Sequence, residues 1–169
     1  TSPLMKLFDK QLRQAKSALN SLNKNFKSKK ALDLNENLIF LNIYLDLINR
    51  IHFHEERLQF QLFEPFKPIH KALKRIGNFK LIQAAFEQES ITRQTGYNTY
   101  KKSLTAERKE LYKEVYEVTF ATPLDMWDSL YASIYNYGRN IGPLQIDTAT
   151  LQLVNEEIDF FQFKGKSSQ

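Results

Sequence analysis

The sequence contains no cysteine, and this absence removes several classes of protein at once. Without a thiol there can be no disulfide framework, no thiolate-bound zinc and no cysteine nucleophile. Glycine and proline are also scarce, with five of each in 169 residues. Because sandwiches and barrels need a turn residue every few positions, this scarcity favours long helices with few interruptions.

Long apolar runs are missing as well. No apolar stretch reaches the length that a bilayer requires, and residues 37–51 are interrupted by Asn42, Asp46, Asn49 and Arg50. The sequence therefore predicts a soluble chain without a membrane-spanning helix. The lack of cysteine favours a cytoplasmic location, and a cleaved signal peptide is the alternative, because the first residue is Thr1.

The apolar residues that are present recur at helical spacing. Ser2-Pro3 can cap a first helix that extends to about residue 24. Asp33 can cap a second helix, with Glu36 completing a capping-box-like pair. Apolar side chains surround this second helix on nearly every side, which predicts that it is central to the fold.

Turn and capping residues divide the rest of the chain. Pro65 and Pro68 predict a kink or a fresh start near Phe66, and Gly77-Asn78 can end or bend the helix that follows. Later helices are expected to begin at Ser103 or Thr105, after Thr122-Pro123, and at Asp147 or Thr148. The last helix is expected to bury Leu151, Leu153, Val154, Ile158, Phe161 and Phe163.

These segments together predict one all-α domain over residues 1–169, a bundle of six to seven helices with a frayed tail at 164–169.

Catalytic and metal-binding patterns are not found. His52 and His54 lie beside Glu55 and Glu56, but residues two apart on a helix point about 200° apart and cannot share one ion. No phosphate-binding glycine loop, nucleophile elbow or Glu-x-x-His pair occurs. The sequence therefore predicts no metal site, no cofactor and no enzymatic activity.

Positive charge is unevenly distributed. The net charge is +5, and residues 1–30 carry eight Lys and Arg against Asp9 alone. In the segment 67–80, Lys67, His70, Lys71 and Lys74 fall on one stripe of the predicted helix. Such a stripe suits phosphate oxygens, so we expect a polyanion site there. A solvated stripe without a ligand is the alternative. The full candidate set adds Arg75, Lys80, Lys24 and Lys27.

The same segment resembles the CHAD family, the conserved histidine α-helical domain. Residues 69–83 are similar to its pattern L-x-x-x-L-x-x-x-G-x-x-R-D-x-D, with Gly77 as the glycine and Lys80 where arginine is usual. Leu81 and Gln83 stand where the family has an acidic pair. The resemblance implies a helical bundle that binds inorganic polyphosphate through a basic surface.

A second interpretation is a protein-interaction or scaffold domain with a protein partner or self-association. Aromatic residues make up 13% of the chain, and such side chains suit interfaces. They suit a hydrophobic core equally well. Several tyrosines cluster late in the chain: Tyr97, Tyr100, Tyr131, Tyr135 and Tyr137.

Overall fold

The computed structural model describes residues 2–52, 63–90 and 97–167. Within these ranges it contains six α-helices and no strand, which confirms the predicted all-α helical bundle. A short 3-10 turn at Glu64–Phe66 precedes the third helix. The helices are α1 (Pro3–Lys24), α2 (Ser28–Ile51), α3 (Lys67–Ser90), α4 (Tyr97–Ala121), α5 (Asp125–Gly138) and α6 (Pro143–Ser167).

The start of α1 forms as predicted. Pro3 occupies the first turn, and the Ser2 hydroxyl oxygen accepts a hydrogen bond from the Met5 N–H at 3.2 Å. The same hydroxyl donates to the Gly138 carbonyl oxygen at 2.6 Å. The residue that caps α1 therefore also joins it to the end of α5.

Three helices begin earlier than the capping patterns predicted. In α6, Pro143 provides the first turn, and the Gly142 N–H donates to the Gln145 side-chain oxygen at 2.9 Å. In α2, Ala31 is fully buried, so packing holds the turn before Asp33 in the helix without a side-chain cap. The predicted starts that are wrong are Asp33 for α2, Ser103 or Thr105 for α4, and Asp147 or Thr148 for α6.

The proline and glycine signals before and within α3 had different outcomes. The 3-10 turn at Glu64–Phe66 confirms the fresh start near Phe66. Gly77 and Asn78 do not end the helix, which continues to Ser90. Ile76 and Phe79 on either side are buried in the core, and their packing outweighs the cost of about 1 kcal/mol for glycine inside a helix.

Helix α2 is central, as its all-round apolar character predicted. It packs against α1, α3 and α6, and its buried side chains join one continuous core with those of α1 and α3. Trp127 of α5 is fully buried, and its ring centroid lies 4.8 Å from that of Phe66. The core therefore gathers side chains from well-separated parts of the chain.

The burial predicted for the last helix is wrong at four of its six positions. Ala149 is the buried residue of α6 among its described side chains, with Ile146 and Leu153 packed partly against the core. The side chain of Phe163 lies outside the described residues. The helix extends to Ser167 and so includes most of the tail for which the sequence predicts fraying. The stripe that is exposed instead of buried comprises Leu151, Val154, Ile158 and Phe161.

No described helix is both long enough and apolar enough to cross a membrane.

We expect Gly138→Ala to destabilise the fold by about 1–3 kcal/mol, because overpacking a closed core has this cost. A Cβ at this position would overlap the Met5 sulfur and lie 2.7 Å from its Cγ, and Met5 is buried. Urea unfolding measures the change. Gly77→Ala is the matched control, because its Cβ would meet the Leu32 side chain at an ordinary 3.6 Å. There we expect a gain of about 0.5–1 kcal/mol. Equal effects at both glycines would contradict this account.

Candidate functional site

The predicted basic stripe lies on the outer side of α3. Lys67, Lys71 and Lys74 are exposed there, opposite the buried side chains that hold the helix to the core. Lys67 forms an ion pair with Glu64, with 2.6 Å between Nζ and Oε2. These lysines line neither of the two clefts described below. The stripe is therefore an exposed helix surface.

The other predicted contacts on α3 are paired or half-buried. Arg75 reaches across to α4, where its Nη1 lies 2.7 Å from Oε2 of Glu114. Lys80 is half-buried. His70 is half-buried too, with its ring edge-on to Phe63 at 5.8 Å between centroids. On α3 the structure thus keeps three exposed lysines together, while Arg75 is paired with Glu114 and His70 and Lys80 are half-buried.

His70 is poorly suited to act as a cation. Burial lowers the pKa of the His70 imidazole below its ordinary value, and the nearby positive charge of Lys74 lowers it further. Its Nδ1 atom is buried and has no hydrogen-bond partner among the described residues. The neutral imidazole is therefore the form that this environment favours.

Lys24 and Lys27 lie at the connection between α1 and α2. Both are exposed, at the end of α1 and immediately before α2. Between them, Phe26 packs against α4, with its ring 5.6 Å from Tyr112 and 6.2 Å from Tyr116. This aromatic contact fixes the connection, while the two lysine side chains remain in solvent.

The histidine group considered for metal binding is only partly described. The His52 Nε2 lies 2.8 Å from the Tyr137 carbonyl oxygen, and the two rings meet edge to face. His54, Glu55 and Glu56 lie outside the described residues. Across residues 2–52, 63–90 and 97–167, no group of three or more potential ligands is placed to hold a metal ion.

A polar cleft of about 600 Å³ lies between α1 and α2. Its walls carry amides, hydroxyls and both signs of charge, with Phe40 as the aromatic side chain at its edge. Arg13 on this wall already pairs with Asp9 at 3.0 Å. Positive and negative groups are balanced across the cleft, so it shows no preference for one ligand charge.

Helix α6 has two apolar faces. Its inner face contains Ile146, Ala149 and Leu153, which pack on the core, and Glu156 follows at the same three- and four-residue spacing. On the side away from these residues lies what we call the α6 outer face. Its five side chains are between 46% and 78% exposed: Leu144, Leu151, Val154, Ile158 and Phe161.

An ion pair holds the inner face against α2. The Arg50 guanidinium donates two hydrogen bonds to Glu156, at 2.8 and 2.7 Å, and its Nε lies 3.2 Å from a carboxylate oxygen of Asp46. The hydrogen bonds from Arg50 lower the pKa of the Glu156 carboxyl. They also raise the pKa of Arg50 itself. This two-bond contact joins the inner face of α6 to α2.

Carboxylates border the α6 outer face. Asp147 lies along it, and Glu157 and Asp159 flank it; all three are exposed. The sequence already showed these acids and both sets of apolar positions. It did not show which set faces solvent, and this is the candidate surface that the sequence analysis missed.

No family model matches the chain, and no curated protein or solved structure matches it either. The resemblance to the CHAD family stays a prediction. Function is therefore inferred from the surfaces of the chain itself.

We expect the His70 ring to titrate below the ordinary histidine pKa of about 6.5. The imidazole then binds a proton more readily in the unfolded chain than in the folded one. Neutral His70 therefore contributes its full share of the free energy of unfolding above the unfolded pKa of about 6.5, and this share is lost as the pH falls from there towards the folded pKa. NMR titration of the imidazole measures the pKa directly, and Lys74→Gln should raise it by removing the nearby charge. An ordinary pKa that Lys74→Gln leaves unchanged would contradict this explanation.

Proposed function

We propose that this chain is a non-catalytic interaction module that binds an amphipathic helix of another protein along the α6 outer face. The observation that carries the proposal is the row of five large exposed apolar side chains on a helix attached by its opposite side. Contiguous apolar surface of this kind is unusual on a monomer and typical of interaction sites.

The spacing of the row supports a helical partner. Leu144, Leu151 and Ile158 are seven residues apart, and Val154 and Phe161 lie between and beyond them at steps of three and four. Asp147 occupies the repeat position between Leu144 and Leu151, so the apolar seam is unbroken from Leu151 to Phe161, over about three turns of helix. An amphipathic helix whose apolar residues share that spacing can pack along the whole seam.

The bordering carboxylates indicate the charge of the partner. A helix flanked by Lys or Arg would place positive charge against Asp147, Glu157 and Asp159. Pairing of two α6 helices would bring like charges together, and an anionic membrane surface would repel the same carboxylates. A basic amphipathic helix is therefore the occupant that we propose.

A designed helical peptide tests this proposal. We expect a fluorescent peptide with leucine on its seam and lysine on both flanks to bind, as measured by fluorescence anisotropy. The double variant Leu151→Glu with Ile158→Glu should weaken binding by about tenfold or more, because the bound peptide would bury a carboxylate at each of the two positions. Leu81→Glu is the matched control, since Leu81 is 72% exposed on α3 and remote from this seam in sequence.

The charge of the peptide provides a second comparison. Replacing its lysines by glutamates should weaken binding, most clearly at low salt, where screening is least. Sedimentation of the protein alone should show a monomer. Non-saturable peptide binding, or an equal loss of binding in Leu81→Glu, would contradict the proposal. If the protein self-associates and the α6 double variant abolishes this, the occupant of the outer face is a second copy of the chain and not a partner helix.

Anion binding is the second candidate function, and one observation favours it. Lys71 and Lys74 are exposed one helical turn apart, and neither has an ion-pair partner in the part of the chain that the structure describes. Their ammonium groups are thus available to phosphate oxygens. Inorganic polyphosphate, which the CHAD resemblance implies, is the ligand proposed for this stripe.

A polyphosphate titration at about 50 mM and about 200 mM salt tests the second candidate. We expect binding that weakens several-fold at the higher salt concentration, because the contacts are between full charges. Lys71→Gln with Lys74→Gln should reduce the affinity. Lys109→Gln with Lys113→Gln removes the same charge from exposed positions of α4 and should have a smaller effect. No binding at low salt, or equal losses in both variants, would exclude this stripe as the site.

A further inference from the structure

A second apolar surface lies in a cleft between α3 and α4, with a volume of about 560 Å³. Phe79 of α3 and Leu111 of α4 form its base, and each is only 8% exposed. Ile82 forms part of one wall and is 56% exposed. The cleft thus has a nearly buried apolar base and, at Ile82, an exposed apolar wall on which an apolar ligand could lie.

Carboxylates from α4 form the rim of this cleft. Glu114 is neutralised by Arg75, whose guanidinium bridges the two helices at 2.7 Å. Glu107 and Glu110 are exposed and have no cationic partner among the described residues. They are three residues apart and so lie on the same side of the helix. An apolar base is thus bordered by two uncompensated negative charges.

We propose that this cleft binds a small amphiphilic cation, a molecule that joins an apolar group to an ammonium or guanidinium. The apolar group would lie on Phe79 and Leu111, and the cation would contact Glu107 and Glu110. The volume falls within the range of about 300–1,000 Å³ that small-molecule sites occupy. A mainly apolar lining with a few convergent polar groups is also characteristic of such sites.

The dimensions favour a small molecule over a docked helix. From Arg75 to Ile82 the cleft follows α3 for seven residues, or about 10 Å. The Arg75–Glu114 ion pair spans the cleft at one end of this stretch. A helix of ordinary length, about 17 Å, would extend beyond it. This site is separate from the α6 outer face and does not depend on the proposed function.

Three probes with the same tail test the charge preference: octylammonium, octyl sulfate and octyl glucoside, each below its micelle concentration. We expect octylammonium to bind about tenfold more tightly than octyl glucoside, and octyl sulfate to bind least, in calorimetric titrations. Higher salt should reduce the advantage of the cation. Equal affinity for the three probes would overturn the proposal.

Substitutions assign the binding to the cleft. Glu107→Gln with Glu110→Gln should reduce octylammonium binding to the level of octyl glucoside. Glu36→Gln with Glu117→Gln removes two exposed carboxylates elsewhere and should leave the cation preference intact. Ile82→Ser, at an exposed position that the core does not require, should weaken binding of all three probes. A cation preference that survives Glu107→Gln with Glu110→Gln would overturn the assignment.

Discussion

The need to cover α2 organises the helices around it. Apolar side chains occur on almost every side of this helix, and each side that stays in water forgoes the free energy of burial. Helices α1, α3 and α6 each cover a part of it. These helices leave one side of α2 partly in solvent, where Ile39, Phe40 and Ile43 remain between 37% and 43% exposed. The helix that the sequence marks as most apolar thus determines where its neighbours pack.

The attachment of α6 to α2 explains why an apolar surface remains in solvent. Ile146, Ala149 and Leu153 supply an apolar inner contact, and the Arg50–Glu156 ion pair lies on the same side of the helix. Arg50 is only 19% exposed but Glu156 is 63% exposed, so solvent screens this pair and the apolar contact carries most of the attachment. The outer face follows as a geometric consequence. Burying such a side chain from full exposure contributes about 1.5–3 kcal/mol, and a partner can supply the fraction of that burial that is still missing.

Local signals predicted the parts of the fold that local chemistry decides. Ser2-Pro3 capped α1, and Pro65 and Pro68 produced a fresh start at α3, because a hydroxyl cap and a missing N–H act within one turn. Periodicity failed at α6, where two apolar stripes have equally regular spacing and only tertiary contacts select between them. The exposed lysine stripe of α3 was predicted from the sequence. The pairing of Arg75 with Glu114, 39 residues later, was not, because no local pattern specifies it.

The net charge and the local charges of the chain act on a cationic ligand in opposite directions and over different distances. The chain carries a net charge of +5, yet carboxylates border both the α6 outer face and the cleft between α3 and α4. A cationic ligand is therefore repelled by the whole molecule at long range and attracted within a few ångströms of either surface. Screening acts over about 8–10 Å at physiological salt, so moderate salt suppresses the long-range repulsion first. Affinity for cations at these surfaces depends on local carboxylates, whereas the lysines on α3 and beside α2 act with the net charge in attracting anions.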